Sequence, residues 1–485
     1  MKIYFTDFFN VSPIDLSNYG AFNISLINDL PAFIDPFLLF NSDKSEYQQL
    51  HHQIIEYVKF LRDMSAQSNM DTGLLKTLYQ FPEVKQNWLG YSKIGNGGSG
   101  LGKKFSNALH ENLHAIFHNF GEEQITKGSH LEKLCLVESG IGRDNISDFT
   151  TNLIKGFLCE YTQNFAIQYI EQNRLKEVPV SHVEFNYQTK SWVTKRFILP
   201  YIDGDFILLT PKDILTKDEE WINRSDMIRD FDDIVASLPN DSLRSQINSY
   251  LQGILSDSPD KKEQDYAIQQ AFKKFPYLID YYMKFKEDNG DEAVALSELK
   301  LDETEQVLIN NIRNFVNLLK NSYFYQYTDD TYQAALKRVH FLKQVVENND
   351  GYKLFYYKNN PIKRESDLQV IYKLTWYATD DDVNAEVNNG RGPVDYKISR
   401  GSKDSTIVEF KLASNPKLKQ NLQHQVRVYE DANQTKKSIK VILYFSESEL
   451  LKVLKVLKDL KLEGQENIVL IDASKDNKIS ASNVK

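Results

Sequence analysis

Gly392-Pro393-Val394-Asp395-Tyr396 and, a short turn later, Ile407-Val408-Glu409-Phe410-Lys411-Leu412 form the stretch on which the reading of this 485-residue chain turns. Strand periodicity sends Val408, Phe410 and Leu412 to one side and Glu409 and Lys411 to the other. A carboxylate and an ammonium therefore project from one surface of a strand whose reverse is apolar. Asp395, fourteen positions before Glu409, belongs to the preceding strand. The turn Arg400-Gly401-Ser402-Lys403-Asp404 folds that strand back, so the right register brings Asp395 up to Glu409.

Outward from this hairpin, element signals alternate. A helix is expected over 364–377, then a polar Asp/Asn/Gly stretch running through Arg391-Gly392-Pro393, then strands at 394–399 and 406–413. Pro416 stands near the start of a helix reaching about Ala432. An apolar strand at 438–445, a Leu/Lys helix at 448–462 and a last strand at 467–472 complete the order. This alternation predicts an α/β domain, a mixed sheet flanked by helices.

Two carboxylates and a lysine at this spacing suit phosphodiester hydrolysis. Asp395 and Glu409 offer hard oxygen ligands to Mg²⁺ or Mn²⁺, and such an ion lowers the pKa of a bound water. Lys411 is placed to orient that water and to offset phosphate charge.

The residues Gly392–Tyr396 and Val408–Leu412, with the element order around them, resemble the PD-(D/E)XK nuclease superfamily, the restriction-endonuclease-like fold. The resemblance covers about 360–475. It implies a Mg²⁺-dependent endonuclease, with Asp395, Glu409 and the Phe410 backbone carbonyl on the metal and Lys411 activating water. It also implies that Glu365 supports the metal, with Glu386 a competitor for that place, and that Gln425 joins the catalytic centre from its helix. Arg391 and Tyr429, the latter one turn beyond Gln425 on the same helix face, are the expected substrate contacts. DNA is the expected substrate, and a restriction or anti-phage defence role is what the resemblance suggests.

The rest of the chain divides by texture. Residues 1–225 mix helical stretches, notably Glu46–Met64 and Asp148–Asn173, with strand-like runs at Val183–Tyr187, Trp192–Leu199 and Asp205–Leu209; this predicts a mixed α/β region for recognition or regulation. Residues 226–350 read as amphipathic helices broken at Ser256–Asp260 and Asp288–Asp291, a spacer or interaction domain. Residues 351–485 form the nuclease-like domain. The N-terminal or helical region is the expected seat of a protein partner or homo-oligomer contact.

Three other motifs compete for function. Ala108-Leu109-His110-Glu111-Asn112-Leu113-His114 matches H-E-x-x-H, which on a helix places His110 and His114 on one face with Glu111 as a base; His118 extends the row. This supports a zinc-dependent hydrolase as the alternative function, although Phe117 stands where the metzincin glycine belongs. Gly97-Gly98-Ser99-Gly100-Leu101-Gly102-Lys103-Lys104 imitates a phosphate loop, but Lys104 replaces the Ser or Thr that touches Mg²⁺. Glu138–Thr150 carries two glycines, Arg143, Asp144 and Asp148; Ser147 or Asp148 is expected to cap a helix there.

Composition sets the outer limits. Two cysteines in unrelated segments, Cys135 and Cys159, exclude a disulfide framework and point to a reducing, cytoplasmic setting. No apolar stretch is long enough for a membrane span, so no membrane partner is expected. The net charge of −9 hides a gradient: residues 352–485 carry 23 Lys and Arg against 18 Asp and Glu, a surplus of five that leaves −14 for the remainder. That surplus coincides with the proposed nuclease segment and favours a nucleic-acid partner there. A catalytically inactive nucleic-acid-binding or assembly module remains the non-enzymatic alternative.

Overall fold

Alternating apolar residues in 393–412 do produce an antiparallel strand pair, and that pair is the seed of the C-terminal sheet. The computed structural model describes residues 2–27, 29–66, 72–90, 101, 103–115, 117, 120–136, 143–217, 220–256, 259–312, 315, 330–348, 351–358, 360–376, 382–388, 393–400, 404–423 and 438–475. The chain is mixed α/β and divides into two compact units, Lys2–Asp302 and Glu303–Lys485. The helical stretch 226–350 is shared between them.

In the first unit the long helix α1 (Ser45–Ser65) buries Leu50, Ile54, Val58 and Leu61, a three- and four-residue spacing that puts one apolar face on the core. Periodicity over 148–173 suggested one helix. The structure breaks it into α2 (Arg143–Leu153) and α3 (Lys155–Tyr169). Just past the break, Gly156 lies so close to strand β1 (Leu175–Asn186) that a Cβ there would stand 2.5 Å from the Val183 carbonyl. β1 pairs antiparallel with β2 (Ser191–Ile202), and the Asn186 side chain accepts from the Gln188 and Thr189 N–H groups to close the turn. A short strand, Asp205–Phe206, extends this sheet.

Helices follow, among them α4 (Asp241–Ile254), α5 (Lys261–Lys274), α6 (Tyr277–Asp288) and α7 (Gly290–Glu305). Asn240 and Asp260 cap α4 and α5, accepting from Ser242 N–H and Glu263 N–H at 2.8 Å each. The Asp260 cap falls at the end of the expected Ser256–Asp260 break and sets where the next helix starts.

The second unit holds helices α8 (Thr331–Asn348) and α9 (Glu365–Leu374), then β3 (Asp382–Asn388), β4 (Pro393–Arg400), β5 (Asp404–Leu412), β6 (Ser438–Tyr444), α10 (Glu447–Asp459) and β7 (Ile468–Asp472). The sheet order is β7-β6-β5-β4-β3. β3, β4 and β5 are antiparallel neighbours, whereas β5, β6 and β7 run parallel, so the sheet is mixed as expected. β3 corrects the sequence reading, which left this polar stretch outside the sheet. Asp and Asn are poor strand formers, but β4 supplies a ladder partner at every position from Asp382 to Ala385, and tertiary pairing overrides local preference.

Both faces of this sheet are covered. Phe410 packs 4.8 Å from the Tyr372 ring and 6.3 Å from Tyr396, and the Tyr396 hydroxyl donates to the Gln369 carbonyl of α9. Beneath them the Arg338 guanidinium of α8 lies over the Trp376 ring and donates to the Thr375 carbonyl. On the other side Ile442, the register partner of Lys411, joins Val453, Val456 and Leu457 of α10 with Leu418 and Leu422. Residues 418–423 are helical, consistent with the helix expected after Pro416; its continuation from 424 lies outside the described residues. No helix among the described residues is long and apolar enough to cross a membrane.

Candidate active site

The site grows from the point where β4 and β5 part. Their ladder runs from the Asp404–Arg400 pair to the Val408–Tyr396 pair. One step further the Phe410 N–H donates not to a main-chain carbonyl of β4 but to the Asp395 carboxylate, at 2.6 Å. The side chain thus takes the ladder's place, and its charge is fixed beside the β5 backbone.

Lys411 completes the connection. Its ammonium donates to its neighbour's carbonyl, that of Phe410, at 2.9 Å, and lies 3.4 Å from both the Asp395 and the Glu365 carboxylates. Glu365 is the first residue of α9, and its other oxygen accepts from Leu412 N–H at 3.2 Å and from the Asn415 amide at 2.9 Å. It therefore clamps the start of α9 onto the end of β5. Asp395, Glu409 and Lys411 are each at least nine-tenths buried.

Glu409 projects on the Lys411 side of β5, as alternation requires. Its register partner on β6 is Lys440, only 4% exposed. Burial pushes the Glu409 carboxyl up to about 7; Lys411 and Lys440 pull it down, while Asp395 and Glu365 add to the rise. For Lys411, burial alone lowers the pKa, but the Asp395, Glu365 and Glu409 carboxylates outweigh it and hold the ammonium above its ordinary value.

Of the residues singled out from sequence, Asp395, Glu409, Lys411, Glu365 and the Phe410 carbonyl come together here. Glu386 lies on β3 between the Ala385–Tyr396 and Val387–Val394 pairs, and its side chain lies outside the described residues. Arg391, Gln425 and Tyr429 lie outside the described residues. Lys440 and Asn415 were missed. A single lysine inside the apolar run Ser438-Ile439-Lys440-Val441-Ile442 was the signal for the first. Among the described residues, no three or more His, Cys, Asp or Glu side chains stand grouped as a ready metal site; the Lys411 ammonium lies 3.4 Å from both the Asp395 and the Glu365 carboxylates.

The competing motifs fare differently. His110 and Glu111 lie on a helix, Lys103–Ala115, as the spacing requires. The His110 ring meets Tyr79 edge-on with Nδ1 3.5 Å from its hydroxyl, and Glu111 is exposed. The His114 side chain and His118 are outside the described residues, as is most of the glycine-rich loop before them. Neither Ser147 nor Asp148 caps a helix, because α2 begins at Arg143 and both lie inside it. Ser147 instead accepts from the Ile34 N–H at 2.9 Å, a tertiary bond that no local pattern announces.

Comparison with known proteins identifies two similar regions. Residues 10–223 match a family described as Domain of unknown function (DUF8370), and residues 331–447 match Domain of unknown function (DUF8371). The second match contains Glu365, Asp395, Glu409, Lys411 and Lys440 together. No curated protein and no solved structure matches the chain.

Proposed function

We propose that Glu303–Lys485 forms a metal-dependent nuclease of the PD-(D/E)XK, restriction-endonuclease-like class, hydrolysing phosphodiester bonds of DNA. The observation that carries this reading is the convergence of Asp395, Lys411 and Glu365 where β4 and β5 part, with Glu409 in the same electrostatic field. The donors suit a hard divalent cation, being carboxylate and carbonyl oxygens only. Three carboxylates face two lysines; burial, aided by Asp395 and Glu365, holds the Glu409 carboxyl up at about 7 against the pull of Lys411 and Lys440.

In this role Asp395, Glu409, the Phe410 carbonyl and Glu365 would hold Mg²⁺ or Mn²⁺. The bound ion supplies Lewis-acid stabilisation of phosphate charge and a water of lowered pKa. Lys411, held by the Phe410 carbonyl and the Asp395 and Glu365 carboxylates, keeps its proton and is placed to orient the attacking water and favour its hydroxide form. Asp395 has a double task. By accepting the Phe410 N–H it fixes the β5 segment that presents Glu409 and Lys411.

The test incubates the full chain with plasmid DNA, single-stranded DNA and RNA across Mg²⁺, Mn²⁺ and a chelator. Cleavage of DNA that needs the divalent ion and disappears in Glu409→Ala is the expected result. Salt-sensitive binding without turnover under any divalent ion would make the unit a nucleic-acid-binding module instead.

A further inference from the structure

A cleft of about 440 Å³ opens in the first unit between α1, the start of α3 and the β1–β2 hairpin. Tyr57, Phe157, Phe185, Tyr187, Trp192 and Phe197 give part of its lining an aromatic character. Phe185 stands edge-on to Tyr57 at 4.9 Å and to Tyr187 at 5.1 Å, and Trp192 lies 5.1 Å from Phe185. Tyr187 remains 45% exposed despite these contacts. The backbone makes the shape. A register shift between Val180 and Glu184, with His182 at φ +60°, re-aims the end of β1 toward the cleft. The tight approach of Gly156 to Val183 fixes its floor.

Charge in the cleft is one-sided. Glu46, Glu160 and Glu184 line it, against Lys195 as the one cation among its described residues. Lys195 is already committed to Glu184 at 2.5 Å. Glu46 and Glu160 make no ion pair among the described residues.

We propose that this cleft binds a small organic cation, an aliphatic amine or guanidine with a hydrocarbon stem. Aromatic ring faces carry negative quadrupole potential and attract such a head group, most strongly where water is partly excluded. Glu46 and Glu160 supply the counter-charge, and the apolar ring surface accepts the stem. The volume lies in the range of small-molecule pockets. Phosphate-bearing ligands would meet the same stacking surface but an opposing field.

Isothermal titration of the full chain with agmatine and with spermidine, using AMP as the aromatic anion control, tests this. Saturable binding of at least one cation is expected, weakened by added salt and roughly tenfold weaker in Glu46→Gln/Glu160→Gln, the change expected from losing about 1.4 kcal/mol. Trp192→Leu should weaken it as well, and unchanged thermal unfolding of the glutamine variant shows that the fold is intact. Failure of both amines to saturate, equal affinity in the glutamine variant, or tighter binding of AMP would each overturn the proposal. So would binding confined to a lysine- or arginine-bearing peptide. An Asp395→Asn chain should bind the amines normally, which separates this site from the proposed nuclease.

Discussion

Glu409 and Lys440 stand side by side on adjacent parallel strands, both more than nine-tenths buried, in a sheet whose remaining inward residues are mostly apolar. Removing one member of a buried charge pair usually costs more than the pair contributes, because the other is left uncompensated. Lys440→Met should therefore destabilise the second unit by about 1–3 kcal/mol. The double variant Lys440→Met/Glu409→Gln should recover much of that loss. Thermal unfolding of the four-member cycle measures the coupling, and strict additivity would mean that the two charges do not interact.

Asp395 permits a separation of fold from chemistry. Asn at this position can still accept the Phe410 N–H, whereas Ala leaves that buried donor unpaired at a cost of about 1–3 kcal/mol. Asp395→Ala should unfold earlier than Asp395→Asn, while both abolish metal-dependent cleavage. Equal stability of the two variants would show that the carboxylate does not hold β5 in place.

A third expectation concerns pH. Burial pushes Asp148 up to about 8, with the Asp144 and Glu83 carboxylates adding to the rise. Its folded pKa lies above the ordinary value of 3.8, so the folded chain holds the proton longer than the unfolded one. The group's contribution is thus fully present below about pH 4 and is lost as pH rises through about 8. Asp148→Asn should flatten that decline and stabilise the first unit at pH 9, by on the order of 1–3 kcal/mol. Unfolding midpoints of wild type and variant that stay parallel from pH 4 to 9 would refute this.

Packing supplies a fourth. Phe410 is fully buried against Tyr372 and Tyr396, so Phe410→Ala should cost about 3–5 kcal/mol. Phe410→Leu should cost less, and near-equal losses in thermal unfolding would argue against close packing at this point.

The parts of this site legible in sequence are those that local periodicity controls. Alternation alone places Glu409 and Lys411 opposite Phe410, and the intervening turn brings Asp395 alongside. Lys440 escaped because its position beside Glu409 is set by parallel pairing across a 25-residue connection, 413–437, which no local pattern fixes. β3 escaped for a related reason: its Asp and Asn residues argue against a strand until β4 is there to pair with them. The break at Ile154 is also tertiary, since it seats Gly156 against β1. Glu365 was found through resemblance, but its clamp on Leu412 and Asn415 depends on how α9 meets β5.

Single-turnover cleavage of DNA by wild type and Lys411→Met at saturating Mg²⁺ tests the proposed nuclease chemistry of this site directly. The rate should fall roughly 100-fold or more in the variant, the scale of a lost acid–base or water-orienting group, with DNA binding retained. Cleavage by Lys411→Met at the wild-type rate, or cleavage by either protein in excess chelator, would contradict that chemistry.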